Sequence, residues 1–149
     1  MKALAPIGRL LFSVIFIFSG LNHFAHVDQM VGYVESAGLP MPRLAILGSG
    51  ALILVCGICV LLGVFTRVCA ALLALFLVAA AFTMHRFWGL ADPQMAMEQM
   101  SQFMKNIAMT GGALILAYFG PGPFSLRVKK GVEAPRPNVA FPLRQRPQQ

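Results

Sequence analysis

Long apolar stretches alternate with short polar breaks along this chain. Measured against about 20 apolar residues per crossing, each rising about 1.5 Å, the pattern predicts four membrane-spanning helices. The first runs over about 6–24, with Pro6 suited to a first helical turn, Arg9 placed to snorkel to the near interface, and a polar far end at Ser19, Gly20, Asn22 and His23. The second covers about 44–64 and carries Gly48, Gly50, Cys56, Gly57 and Cys59 among Leu, Ile and Val. Such small residues let helix backbones approach closely, which makes this span the expected packing centre. Gly63-Val64-Phe65-Thr66-Arg67 is short enough to force an antiparallel hairpin with the third span, over about 68–87.

The fourth span is the weakest by hydropathy, because the clean apolar run from Ile107 to Phe119 is too short to cross alone. Asp92-Pro93 offers a cap followed by a first-turn proline, so one helix is expected from Pro93 to Tyr118, roughly 39 Å long, with its crossing part at about 100–119. Its approach is amphipathic, Met97, Met100, Phe103 and Met104 facing away from Glu98, Ser101, Gln102 and Lys105. Between spans one and two, residues 26–43 read as a loop in which Gly38-Leu39-Pro40-Met41-Pro42 breaks helix and restarts it near Arg43. The expected fold class is therefore all-α, an integral membrane four-helix bundle over residues 1–126. Residues 127–149, rich in Pro, Arg and Gln, read as a disordered cytoplasmic tail.

Composition supports the bilayer reading. With 149 residues, 58% of them hydrophobic, and a mean hydropathy of +0.73, the chain carries more apolar surface than a soluble core of this size could bury. The first span could mimic a signal peptide, but no Ala-x-Ala site stands near Gly20 and further spans follow, so retention as an anchor is expected.

Charge then orients the bundle. Lys2, Arg9, Arg67, Arg127, Lys129, Lys130, Arg136, Arg144 and Arg146 fall on one side of the four-span pattern. Only Arg43, Arg86 and Lys105 fall on the other, among Asp28, Glu35, Asp92 and Glu98. The positive-inside rule places both termini in the cytoplasm. The net charge of +7 reads as orientation and anionic-lipid contact, and a nucleic-acid role is rejected.

Ser19-Gly20-Leu21-Asn22-His23-Phe24, Ala37-Gly38-Leu39-Pro40, Gly63-Val64-Phe65-Thr66-Arg67 and the block from Phe103-Met104-Lys105-Asn106 through Thr110-Gly111-Gly112 to Gly120-Pro121-Gly122-Pro123 resemble the DoxX family. The resemblance covers about residues 9–126. It implies a small four-helix protein of the prokaryotic cytoplasmic membrane, multi-pass, serving as a membrane subunit or anchor of a redox or oxidative-stress-linked complex. One type of member resembles a partner of a thiosulfate:quinone oxidoreductase, and another a link between a sulfurtransferase and a superoxide dismutase. Where relatives carry a glutamate early in span two and a lysine at the end of span one, this chain has Ile53 and His23.

Four groups of residues are candidates for chemistry. His23, His26 and His85 are the only histidines and all fall near the outer interface, where neutral imidazoles could bind a metal, with Asp28 available to complete the set. The plainer reading makes them interfacial side chains with one apolar body and one wet tip. Arg86, Trp88, Lys105 and Asn106, with Asn22, form a second group that could hold a quinone: cations for reduced oxygens, an amide for a carbonyl, an aromatic flank for the ring. The alternative is an interface belt, with Trp88 as anchor. Cys56-Gly57-Ile58-Cys59 suggests dithiol chemistry, but these thiols lie deep in a span and read as small packing residues, and Met95, Met97 and Met100 read as packing and lipid contact rather than a Cu(I) site.

Two functions follow. One is a redox-complex membrane subunit with quinone as its cofactor, handled in the outer half. The other is a non-catalytic scaffold or small-ligand transporter. Expected partners are membrane lipids, soluble redox proteins and a second copy of the chain.

Overall fold

A computed structural model describes residues 2–126. The expected tail at 127–149, with its six basic residues, lies outside the described residues. Five helices follow one another: α1 (Leu4–Ala25), α2 (Val27–Ser36), α3 (Pro42–Leu62), α4 (Thr66–Met84) and α5 (Pro93–Phe119). No strand occurs among the described residues. The all-α bundle expected from the sequence is what forms.

Three of the helices, α1, α3 and α4, are long and apolar enough to cross a bilayer, with mean hydropathies of 1.9, 2.6 and 2.2 over their most apolar windows. The polar first half of α5 keeps it out of that group, yet it runs the length of the bundle beside the other three. It starts beyond the end of α4 and finishes where Gly120 meets Arg67 and the Leu126 N–H donates to the Leu62 carbonyl. A helix of 27 residues spans about 40 Å, enough to run the length of its neighbours. Both ends of the described chain therefore gather at one end of the bundle, here the termini end, and α2 lies at the other.

Local sequence explains most boundaries. The Asp92 carboxylate accepts from the Gln94 N–H at 2.9 Å with Pro93 in the first turn, the start expected for α5. Gly38, at φ +78°, ends α2, and the Gly38 and Leu39 N–H groups close back onto Glu35 and Val34. Gly63, at φ +77°, does the same for α3, and only Phe65, left-handed at φ 48°, separates that turn from Thr66. The expected hairpin is present.

Two expectations are corrected. Residues 26–43 are not simply a loop: α2 forms within them. Val27, Met30 and Val34 recur at helical spacing and turn inward, Val34 being buried, so a ten-residue amphipathic helix is stable once α3 offers a surface. Arg9 does not snorkel. It is 2% exposed, folded into the termini end of the bundle, where its Nη2 donates to the Phe124 carbonyl at 2.6 Å. Carbonyls of the segment after α5 are in reach, so the guanidinium turns to them instead of to the interface.

Packing is pairwise. α1 lies chiefly on α3, α5 chiefly on α4, and α3 joins the two pairs. The α1–α3 seam depends on missing side chains. A Cβ on Gly20 would stand 2.7 Å from the Leu54 Cβ, and one on Gly57 would stand 3.0 Å from the Phe16 Cβ. Phe16, Ile53, Cys56, Val60, Cys69, Leu73 and Leu77 make the core, so two of the three cysteines serve as buried packing, and all three are free thiols.

Candidate functional site

The pairing of α1 with α3 and of α4 with α5 leaves a cavity of about 520 Å³ in the half of the bundle nearer α2. Its walls are apolar, with Phe16 from α1, Ile46 and Ile53 from α3, Phe76 and Leu77 from α4 and Met109 from α5. Its polar groups are few: His23, Tyr33, His85, Gln102, Lys105 and Asn106, with the hydroxyls of Ser19, Ser49 and Thr83. Apolar walls with sparse polar groups, in roughly 300–1,000 Å³, is the usual constitution of a small-molecule site.

The hydroxyls of Ser49 and Thr83 are turned onto their own helices, donating to the Ile46 and Ala79 carbonyls at 3.0 and 2.7 Å. The histidines are held differently. His23 Nδ1 lies 2.7 Å from the Ser19 carbonyl oxygen, which can only accept, so Nδ1 donates to it and Nε2 is left for a further partner. His85 Nδ1 lies 3.0 Å from the Gln99 side-chain amide, which orients the ring. The cavity thus combines two imidazoles, His23 and His85, with the Lys105 ammonium and the Asn106 amide.

Three tethers hold α2 over this end. The Tyr33 hydroxyl donates to the Met84 carbonyl at 2.7 Å, Arg86 Nη2 donates to the Ala37 carbonyl at 3.1 Å, and Arg43 pairs with Asp28. Tyr33, Met30, Val34 and Leu39 of the α2 region all line the cavity.

The expected site residues are divided by this arrangement. His23, His85, Lys105 and Asn106 line the cavity. Arg86 lies outside the lining and ties the α4–α5 connection to the end of α2. Trp88, half-exposed, joins an aromatic cluster with Phe82, Phe87 and Phe103 at ring separations of 6.3, 5.2 and 6.0 Å, also outside the lining. Asn22 is exposed. His26 sits at the joint where α1 gives way to α2, exposed, so the helix face that would align it with His23 is broken. Asp28 is engaged with Arg43. Among the described residues no three His, Cys, Asp or Glu side chains gather closely enough to hold a metal ion. Ile53 and His23, the positions at which relatives are expected to carry the glutamate and the lysine, both face the cavity.

Tyr33, Ser49, Thr83 and Gln102 were not singled out by the sequence. Serine or threonine in an apolar span is the only signal for Ser49 and Thr83, and Tyr33 carries none because the sequence predicts a loop where α2 forms.

Comparison with known proteins agrees with the architecture. The chain is 33% identical to the inner membrane protein YphA of Escherichia coli K12 over 120 residues, covering 80% of this chain and 85% of that one. It is 31% identical to the inner membrane protein YqjF of the same organism over 133 residues, covering 85% and 94%. A membrane protein of Mycobacterium tuberculosis H37Rv, Rv3486, is 30% identical over 132 residues, covering 79% and 76%. No solved structure matches the chain. The DoxX family profile matches residues 4–86, α1 through α4 and the first residues beyond it. With helices built to cross a bilayer and inner-membrane relatives along most of its length, this chain is a membrane protein and belongs to the DoxX family.

Proposed function

We propose that this protein is a membrane subunit of a redox assembly in the cytoplasmic membrane, that both termini face the cytoplasm, and that the cavity holds the head group of a quinone or its quinol in the outer half of the bundle. The observation that carries the reading is the cavity itself, with Lys105, Asn106, His23 and His85 on apolar walls. A quinone carbonyl accepts from the ammonium or amide. A quinol hydroxyl donates to imidazole Nε2, and an imidazole in that position can take the proton when the ring is oxidised. Phe16 and Phe76 supply flat walls for the ring.

A bound quinone supplies two-electron, two-proton chemistry, and the residues here bind it, orient it and exchange its protons. Electrons pass to or from a partner redox protein. The distribution of basic residues supports the orientation, since Lys2, Arg9 and Arg67 lie at the termini end.

The test is purification in mild detergent, organic extraction of bound lipid, and titration of the stripped protein with a short-chain ubiquinone and its quinol. Saturable binding weakened about tenfold by His23→Ala or Asn106→Ala, about 1.4 kcal/mol each, is the expected result. A protein that yields no quinone and binds neither form overturns the reading and leaves the scaffold.

A further inference from the structure

One wall of the cavity, between α1 and α5, is not closed by helix packing. α1 contributes Ile15, Ser19 and His23 to it, and α5 contributes Lys105, Asn106 and Met109, yet these two helices hardly touch each other. They come together toward the termini end, where the Phe12 ring stands 3.4 Å from the place of a Cβ on Gly112. Beyond that contact, toward α2, residues of both helices line the cavity. Ile15 lines the cavity while remaining 46% exposed, and Lys105 lines it while also exposed. A residue that faces both the cavity and the outside stands on the rim of an opening.

Depth says what the opening faces. Counted from Leu4 at the start of α1, Ile15 lies about 16 Å along the helix axis, and Met109, counted back from Phe119 at the end of α5, lies about 15 Å along its own. Both sit about halfway through a hydrocarbon layer of about 30 Å. The rim at this level is apolar, and the donors Lys105 and Asn106 stand farther along toward α2. A slot with an apolar lower edge at mid-membrane and a polar upper end discriminates by amphiphile orientation. It admits a polar head upward and leaves a hydrocarbon chain trailing between Ile15 and Met109.

We infer that the seam between α1 and α5 is a lateral portal, through which the cavity takes a chain-bearing, lipid-dissolved ligand directly from the bilayer. The inference rests on the quinone reading only for what fills the cavity; access from lipid follows from the seam. It also sets a ligand class, since a water-borne solute has no reason to enter at mid-membrane.

Phe16 is the place for a reporter, because it lines the cavity and is otherwise buried, 3% exposed, with no lipid contact of its own. The full chain carrying Trp88→Phe and Phe16→Trp, reconstituted in phosphatidylcholine vesicles brominated at mid-chain, reads lipid access through tryptophan emission. The parent, with Trp88 as its single tryptophan, is the reference. The expected result is a larger loss of emission for Trp at 16 than for Trp88 in brominated vesicles, with little loss to aqueous acrylamide. Enlarging the rim side chain by Ile15→Phe should reduce the lipid quenching.

Quenching by acrylamide without quenching by bromolipid, or by neither, overturns the portal. A second reporter, Phe76→Trp on α4, keeps the test decisive if the first variant does not fold. Quinone titration on the same vesicles is scored separately, so absent binding with strong bromolipid quenching refutes the quinone reading and leaves the portal standing.

Discussion

Arg9 and Phe124 are joined across nearly the whole described chain: Arg9 Nη2 donates to the Phe124 carbonyl oxygen at 2.6 Å, which fastens the first helix to the segment that follows the last. A second carbonyl, that of Pro123, lies 3.5 Å from the same nitrogen, and the side chain is withdrawn from solvent. Nη2 alone meets acceptors, Nε and Nη1 being buried without a partner, and deleting the side chain leaves the carbonyls it served without their donor. Arg9→Ala should lower the thermal midpoint in detergent by the equivalent of about 1.5–3 kcal/mol.

Gly63 tests the same junction from the other side. Its φ of +77° is left-handed, and a Cβ there would overlap Arg9 Nη1 and Ser125 Cβ. Gly63→Ala should therefore cost at least about 1–2 kcal/mol from the backbone alone, with the displacement of Arg9 added to it. A thermal midpoint unchanged from the parent would disprove the crowding.

Gly50 governs the cavity through His23, since a Cβ at Gly50 would stand 2.7 Å from the His23 Cβ. Gly50→Ala should push the imidazole from its place, destabilise the fold by about 1–3 kcal/mol, and weaken quinone binding. Gly48→Ala, where nothing lies within 4 Å, is the control and should leave both midpoint and binding unchanged.

The tethers of α2 are unequal in strength. Tyr33→Phe removes the hydrogen bond to the Met84 carbonyl and should cost about 1 kcal/mol, seen as faster amide exchange throughout α2. Asp28→Asn breaks an ion pair whose side chains are 71% and 80% exposed, so its effect should stay below about 1 kcal/mol. Equal acceleration by both variants would contradict this ranking.

Ligand affinity should separate lining from non-lining residues. Lys105→Met is expected to weaken binding of the oxidised quinone about tenfold, the loss of about 1.4 kcal/mol. Trp88→Phe and Arg86→Met, outside the cavity lining, should leave it within about twofold, a shift of about 0.4 kcal/mol. Isothermal titration in detergent measures all three.

The order of long helices, the hairpin at Gly63–Arg67 and the Asp92–Pro93 start of α5 were legible in the sequence, because each has a local cause. A bilayer demands that every backbone polar group be satisfied within the segment, so a long apolar run can only be a helix, and glycine or a capping aspartate marks its ends. Legibility stopped where the partner of a side chain lies far along the chain. Lys105 and Asn106 group in the sequence with Arg86 and Trp88 because all four are polar or amphipathic near one interface, but only the helix pairing turns the first two into the cavity and leaves the others outside its lining. Arg9 was expected at the interface because its acceptors belong to Pro123 and Phe124, more than a hundred residues away. The amphipathic stripe of α2 was present in Val27, Met30 and Val34, yet ten residues do not hold a helix alone, and it took the surface of α3 to stabilise one. Hydropathy alone determined that this chain carries helices built to cross a membrane. The contacts between helices, which depend on glycines at particular depths, decided where it left a cavity and which side chains face it.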